Sequence, residues 1–247
     1  MKQDVKIFIH LPATLNIFKE RPSNAVCSCV GSNVYSSTQE TECVYSTAFV
    51  YGQDGQRSNK YTGNTETLYF NKMWTHHTDS GNSIYGGQTS KNIYLGETRI
   101  VTKLNAGKEP TYQEEYYKQY YYHSDHLGSA SLISDYKGNE YQRIEYTPYG
   151  ETWVEKTQNN GLEYLSYKFT AKELDEEKGL YYYGARYLDP KYSMWISTDT
   201  ALGEYVTPDE NKKYGVFDHI NLNLYHYGGN NPIKYTDPDG NCQKPSP

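Results

Sequence analysis

The sequence predicts an all-β chain built from repeated, Tyr-rich hairpins, and three observations lead there. Tyrosine supplies 29 of the 247 residues. Leu, Ile, Val and Phe number 15, 11, 10 and 6, together 42 of 247 or about 17%, below the roughly 20% expected of a chain with an ordinary aliphatic core. Short runs carrying Tyr, Phe, Ile, Val or Thr recur between Gly-containing turns from Tyr45 onward. If such a chain folds, phenol rings must carry much of the burial. Each buried ring removes roughly 150–250 Å² from water and leaves a hydroxyl that needs a partner. Sheets suit this task, because tyrosine favours strands and pairs across them.

Residues 1–44 differ from the rest. They hold Cys27, Cys29 and Cys43, three of the four cysteines, and show no clear period. We read them as a variable or poorly ordered lead-in. Four cysteines are too few for a disulfide scaffold, and none has CxxC spacing, so no metal is expected there. From Tyr45 to Gly240 the strand signals follow in order. Phe49-Val50-Tyr51 runs into Gly52-Gln53-Asp54-Gly55, and Thr67-Leu68-Tyr69-Phe70 into Asn71-Lys72. Asn92-Ile93-Tyr94-Leu95 passes through Gly96-Glu97 to Thr98-Arg99-Ile100-Val101. Ser131–Ser134 passes through Asp135-Tyr136-Lys137-Gly138-Asn139 to Tyr141–Tyr146. Turns of this composition between such runs are hairpin signals. One short helix is expected over Thr170–Lys178, which is rich in helix formers and stops at Gly179. The stretches 159–161 and 204–217 read as loops, and residues 241–247 as a short C-terminal tail.

Several classes drop out. A net charge of -6 with dispersed Lys and Arg gives no nucleic-acid surface. No apolar run approaches the roughly 18–20 residues of a membrane helix, so no transmembrane segment is expected. Met1–Phe18 contains Lys6, His10 and Pro12 and lacks a small-residue cleavage site, which makes a poor signal peptide.

Three segments are distinctive. The first is Tyr121-Tyr122-His123-Ser124-Asp125-His126-Leu127-Gly128-Ser129. The second runs from Gly179-Leu180-Tyr181-Tyr182-Tyr183-Gly184-Ala185-Arg186-Tyr187 to Trp195-Ile196-Ser197-Thr198-Asp199. The third runs from Asn223-Leu224-Tyr225-His226-Tyr227-Gly228-Gly229-Asn230-Asn231-Pro232 to Asp237-Pro238-Asp239-Gly240. In this order they resemble the RHS repeat-associated core domain of bacterial RHS/YD-repeat proteins, over roughly Tyr45 to Gly240. The resemblance implies a curved hairpin sheet forming part of a hollow β-shell. It implies that this core plugs one end of the shell, around an enclosed C-terminal polypeptide that is often a toxin. Partners in the secretion apparatus or at the cell surface follow from the same likeness, as does a secreted or cell-surface location reached by a non-classical route. At 247 residues the chain is expected to be a fragment of such a shell, or to need further copies to cover its sheet edges.

Asp199 and Asp237 are two acids at the ends of recognisable strand motifs. Two carboxylates a few ångströms apart cannot both ionise cheaply, so they share a proton, and one acts as base and the other as acid. Such a pair titrates as a unit. The resemblance adds an upstream arginine and gives all three a role in aspartyl self-cleavage, just after the last motif. Matched by motif, the candidate catalytic residues are Arg186, Asp199 and Asp237, with no cofactor. Two positions depart from the family pattern: Thr200 stands where a proline is usual, and Asn241 where a leucine precedes the cut. Cleavage after Asn241 leaves only Cys242–Pro247 downstream. These departures keep a second reading open: a non-catalytic remnant or surface module that binds carbohydrate or protein through tyrosines. In that reading Asp237–Gly240 is simply a good turn and Arg186 a structural cation–π or salt-bridge partner. A trans-acting glycosidase is the weakest alternative, resting on the two acids alone. His123 and His126, with Asp125, suggest a metal site, but two histidines three apart need a third ligand and a helix or suitable turn, and the segment reads as a hydrogen-bonded turn.

Overall fold

The computed structural model describes residues 26–29, 46–53, 55–62, 65–79, 87–96, 98–106, 112–158, 165–199, 202, 223–241 and 244–245. The expected loops at 159–161 and 204–217, and the lead-in apart from 26–29, lie outside the described residues. The chain divides into two compact units, one of residues 1–90 with 106–110, the other of residues 91–105 with 111–247.

The first unit is an antiparallel meander. Strands β1 (Val26–Cys29), β2 (Ser46–Tyr51), β3 (Arg57–Thr62), β4 (Thr65–Asn71) and β5 (Trp74–Asp79) pair each with the next. Its buried positions are mostly polar: Thr47, Arg57, Lys60, Thr67 and Thr75 join Ala48 and Phe49. Arg57 is tolerated because its guanidinium carbon lies over the Phe49 ring, 4.4 Å from the centroid, and 5.6 Å from the Tyr69 centroid, a desolvated cation–π contact.

Strand β6 (Gln88–Leu95) starts at the boundary between the units. The second unit continues with β7 (Thr98–Ala106), β8 (Gln119–Ser124), β9 (Ala130–Ser134), β10 (Glu140–Tyr146) and β11 (Thr152–Thr157). From β7 to β11, each strand is antiparallel to its sequence neighbour. In β8, burial follows the pleat: Tyr120 and Tyr122 point inward while Tyr121 and His123 face out. A short α-helix, α1 (Tyr112–Tyr117), precedes β8. The all-β expectation holds, and each strand signal read from the sequence lies within or overlaps a strand.

The hairpin turns share one construction. In 125–129, 135–139 and 147–151, the first residue's amide bonds the fifth residue's carbonyl, and the fourth residue, always glycine, bonds back to the first carbonyl. The glycines Gly128, Gly138 and Gly150 have φ of 83°, 84° and 91°, a region costly for any residue with a Cβ. At the first two turns the aspartate carboxylate accepts two further amides: Leu127 and Ser129 on Asp125, Lys137 and Asn139 on Asp135. This is the Asx device that makes Asp a turn former.

After β11 the chain forms a small sheet of β12 (Glu173–Asp175), β13 (Leu180–Tyr182), β14 (Tyr187–Asp189) and β15 (Met194–Trp195). A two-stranded ladder of β16 (Tyr235–Thr236) and β17 (Lys244–Pro245) follows. The helix expected over Thr170–Lys178 is absent. Phe169–Ala171 is a 3-10 turn with Thr170 and Ala171 at φ 46° and 57°. Glu173–Asp175 is a strand paired with β13, and Gly179 closes a tight turn onto the Asp175 carbonyl. Helix propensity is a weak prior; here Glu173 and Asp175 are buried in the sheet instead.

This part of the second unit contains a dense aromatic core. Phe169, Tyr181, Tyr183, Trp195 and Tyr227 are buried together with Leu127 and Leu188. Tyr183 meets Trp195 edge-on at 5.0 Å, and Trp195 meets Tyr227 at 5.3 Å, favourable geometries for aromatic pairs. The hydroxyls are satisfied: Tyr181 donates to the Gly150 carbonyl at 3.0 Å, and Tyr183 is 2.5 Å from the Thr170 hydroxyl. Phenol rings thus carry the burial that aliphatic residues carry elsewhere.

Candidate functional site

The three residues singled out from the sequence come together. Arg186 sits in the connection between β13 and β14, whose closing bond runs from the Tyr183 amide to the Arg186 carbonyl. Asp199 follows β15, and its backbone is tied to the 224–225 segment through the Leu224 carbonyl. Asp237 follows β16 directly. Trp195 forms the floor, with the Arg186 guanidinium 4.4 Å from its ring centroid.

One guanidinium organises the site. Its Nη1 donates to Asp199 Oδ2 at 2.9 Å and its Nη2 to Asp237 Oδ2 at 2.9 Å. Its Nε donates to the Gly240 carbonyl at 2.5 Å. All three side chains are buried, with 3%, 8% and 2% of the Arg186, Asp199 and Asp237 side chains exposed. The remaining oxygen of Asp237, Oδ1, accepts the Gly240 amide at 2.9 Å. Gly240 has φ 77°, and a Cβ there would lie 2.9 Å from the Arg186 backbone nitrogen, so the turn packs directly on the backbone that carries the arginine.

The electrostatics follow from this packing. Two carboxylates and one guanidinium leave one formal negative charge in a buried space. Burial raises the Asp237 pKa above the usual aspartate value; Arg186 acts against that shift, and the neighbouring Asp239 adds to it. Uptake of one proton neutralises the cluster and yields one carboxylic acid beside one carboxylate.

Sequence reasoning missed two participants. Lys172 donates its ammonium to the Pro238 carbonyl, and nothing in its neighbourhood of sequence marks it, since it lies in the expected helix. The Ala185 amide donates to the Asp239 carbonyl at 3.0 Å. The histidine segment lies elsewhere: His123 Nε2 shares a hydrogen bond with Ser134 Oγ, and His126 Nε2 one with the Ile233 carbonyl. Among the described residues, no three His, Cys, Asp or Glu side chains gather to hold a metal.

Residues 106–233, just over half the chain, match the model of the Teneurin YD-shell family. The chain belongs to the YD-shell family. Among relatives of this YD-shell chain, the tRNA3(Ser)-specific nuclease WapA of Bacillus spizizenii is 29% identical over 211 residues, 84% of this chain and 8% of that protein. Toxin subunit YenC1 of Yersinia entomophaga is 30% identical over 198 residues, 75% of this chain and 18% of that protein. The crystal structure of TcdB2-TccC3 superposes with a TM-score of 0.62 at 26% identity, over 79% of this chain and 9% of that chain. The chain therefore spans less than a fifth of the length of each of these relatives, and it is a YD-shell domain of the kind that toxin-related proteins carry.

Proposed function

We propose that this YD-shell domain is the end-closing core of a toxin-type RHS protein, and that it cuts its own chain after Asn241. The observation that carries this reading is the single buried guanidinium that holds two carboxylates and the carbonyl of Gly240, one residue before the proposed cut. The carboxylate of the pair takes a proton from a water whose oxygen bonds to the Asn241 carbonyl carbon. The carboxylic acid of the pair gives its proton to the Cys242 nitrogen as the carbon–nitrogen bond breaks. The pair ends as it began, with one shared proton. The piece beyond the cut corresponds to the enclosed polypeptide of a longer protein, carried to the outside or the cell surface with its shell.

Intact-mass analysis of the full chain tests this. The wild type accumulates a product ending at Asn241, whereas Asp237→Asn and Asp199→Asn keep the uncut mass. A wild type that stays uncut rejects the reading.

One observation favours a second reading, a structural lock. Both oxygens of Asp237 are engaged, one by Arg186 and one by the Gly240 amide. A lock predicts an uncut wild type and an Asp237→Asn variant that melts earlier with no change in mass.

A further inference from the structure

Three successive carbonyls of the terminal turn are held from outside it. Pro238 accepts from the Lys172 ammonium, Asp239 from the Ala185 amide and Gly240 from Arg186 Nε. None of these contacts uses a side chain of Pro238, Asp239 or Gly240. The 125–129 and 135–139 hairpin turns are closed by their own backbone, from the glycine amide to the opening carbonyl and from the opening amide to the closing carbonyl.

The cradle has its own scaffold. Thr170 and Ala171 adopt left-handed backbone, which breaks the chain direction just before Lys172. That conformation is strained for residues with a Cβ and persists only where surroundings hold it. Here Tyr183 does so: its hydroxyl meets Thr170 Oγ1, and the Thr170 amide is bonded to Ser129 Oγ at 3.2 Å. The Lys172 ammonium lies 5.4 Å from the Tyr183 ring centroid. One tyrosine therefore fixes the bend that aims Lys172 and lies beneath the charge it carries.

We propose that Lys172, with the Ala185 amide and Arg186, forms a backbone-reading cradle for the chain's own segment Pro238–Gly240, and that Lys172 is a positioning residue for the cut after Asn241. This rests on the self-cleavage reading for its function but not for its geometry. The recognised chemistry is a turn with three successive peptide carbonyls, the last belonging to Gly240, where a Cβ would meet the Arg186 backbone nitrogen.

The test uses the full chain with Lys172→Met and Lys172→Arg and two readouts. Amide hydrogen exchange is followed in a peptide covering 237–241 and in one covering 135–139. Appearance of the product ending at Asn241 is followed by mass. Lys172→Met speeds exchange in the terminal turn by about tenfold, the size expected for losing one hydrogen bond to a charged donor, and slows the cut by a similar factor. It leaves the 135–139 turn unchanged, and Lys172→Arg restores both readouts. Unchanged exchange at 237–241, equal loosening of both peptides, or no recovery with arginine overturns the cradle. A wild type that never cuts rejects self-cleavage alone, and the exchange comparison still decides the cradle.

Discussion

Two turns in this chain share one local code and use it for opposite ends. Asp135-Tyr136-Lys137-Gly138-Asn139 closes a hairpin, and Asp237-Pro238-Asp239-Gly240-Asn241 closes the candidate site. Both place a left-handed glycine at the fourth position, at φ 84° and 77°. At Asp135 the glycine amide bonds to the aspartate's own carbonyl, and the carboxylate caps two amides at the surface. At Asp237 the glycine amide moves to the carboxylate, whose other oxygen meets a buried arginine. The pKa shifts diverge accordingly. For Asp135 the upward effect of burial is outweighed by hydrogen bonds from Asn139 and Lys137, and its pKa falls. For Asp237 burial wins over Arg186 and the pKa rises. One turn sequence thus shifts its aspartate in opposite directions, down where the carboxylate caps amides at the surface and up where it is turned inward and desolvated.

The two turns differ most at the cation. Arg186→Met leaves two buried carboxylates without the guanidinium they share and should cost about 3–5 kcal/mol of stability. Lys137→Met, at the exposed turn, should stay within about 0.5 kcal/mol. Urea denaturation of both variants checks this, and equal small effects mean the terminal cluster is not buried as described.

The glycines separate the turns next. Gly138→Ala meets nothing within 4 Å and carries only the left-handed backbone penalty, about 1–2 kcal/mol. Gly240→Ala adds the contact with the Arg186 backbone nitrogen at 2.9 Å and should cost clearly more. The difference in denaturation midpoint between the two variants is the measurement. If Gly240→Ala is the milder change, the terminal turn is not packed on the arginine.

The smallest effect is in pH, and its sign is opposite at the two sites. A lowered folded pKa contributes stability above the ordinary aspartate value that is lost in acid. The cost of Asp135→Asn therefore grows as pH rises from about 3 to about 7. A raised folded pKa contributes stability in acid that is lost as pH rises through the folded value. The cost of Asp237→Asn therefore shrinks over the same range. Denaturation of both variants against wild type across that range reads the two slopes, and slopes of the same sign contradict the comparison.

Much of this was legible in the sequence because it is locally encoded. The hairpins are written in runs of Tyr, Ile and Thr between Asp/Gly turns, and turn chemistry acts over five residues. Arg186, Asp199 and Asp237 were found by motif, although their convergence is a tertiary fact. Thr170–Lys178 went wrong for the complementary reason. Its helix formers were outweighed by pairing of Glu173–Asp175 with β13 and by the left-handed bend at Thr170 and Ala171, which depends on Tyr183 and Ser129 far away in sequence. Lys172 was invisible because its partner, the Pro238 carbonyl, is a backbone group 66 positions away. The Trp195 floor was visible only as a motif letter, since stacking under Arg186 needs the β14–β15 pairing to bring it there.

The central question is whether the Arg186-bridged acids deliver water to the chain's own peptide bond. The full-length chain incubated in ¹⁸O-labelled water, with Asp237→Asn alongside, decides it. Wild type should yield a fragment whose new Asn241 carboxylate carries one heavy oxygen, and the variant should remain whole. An uncut wild type, or the same labelled fragment from both chains, contradicts it.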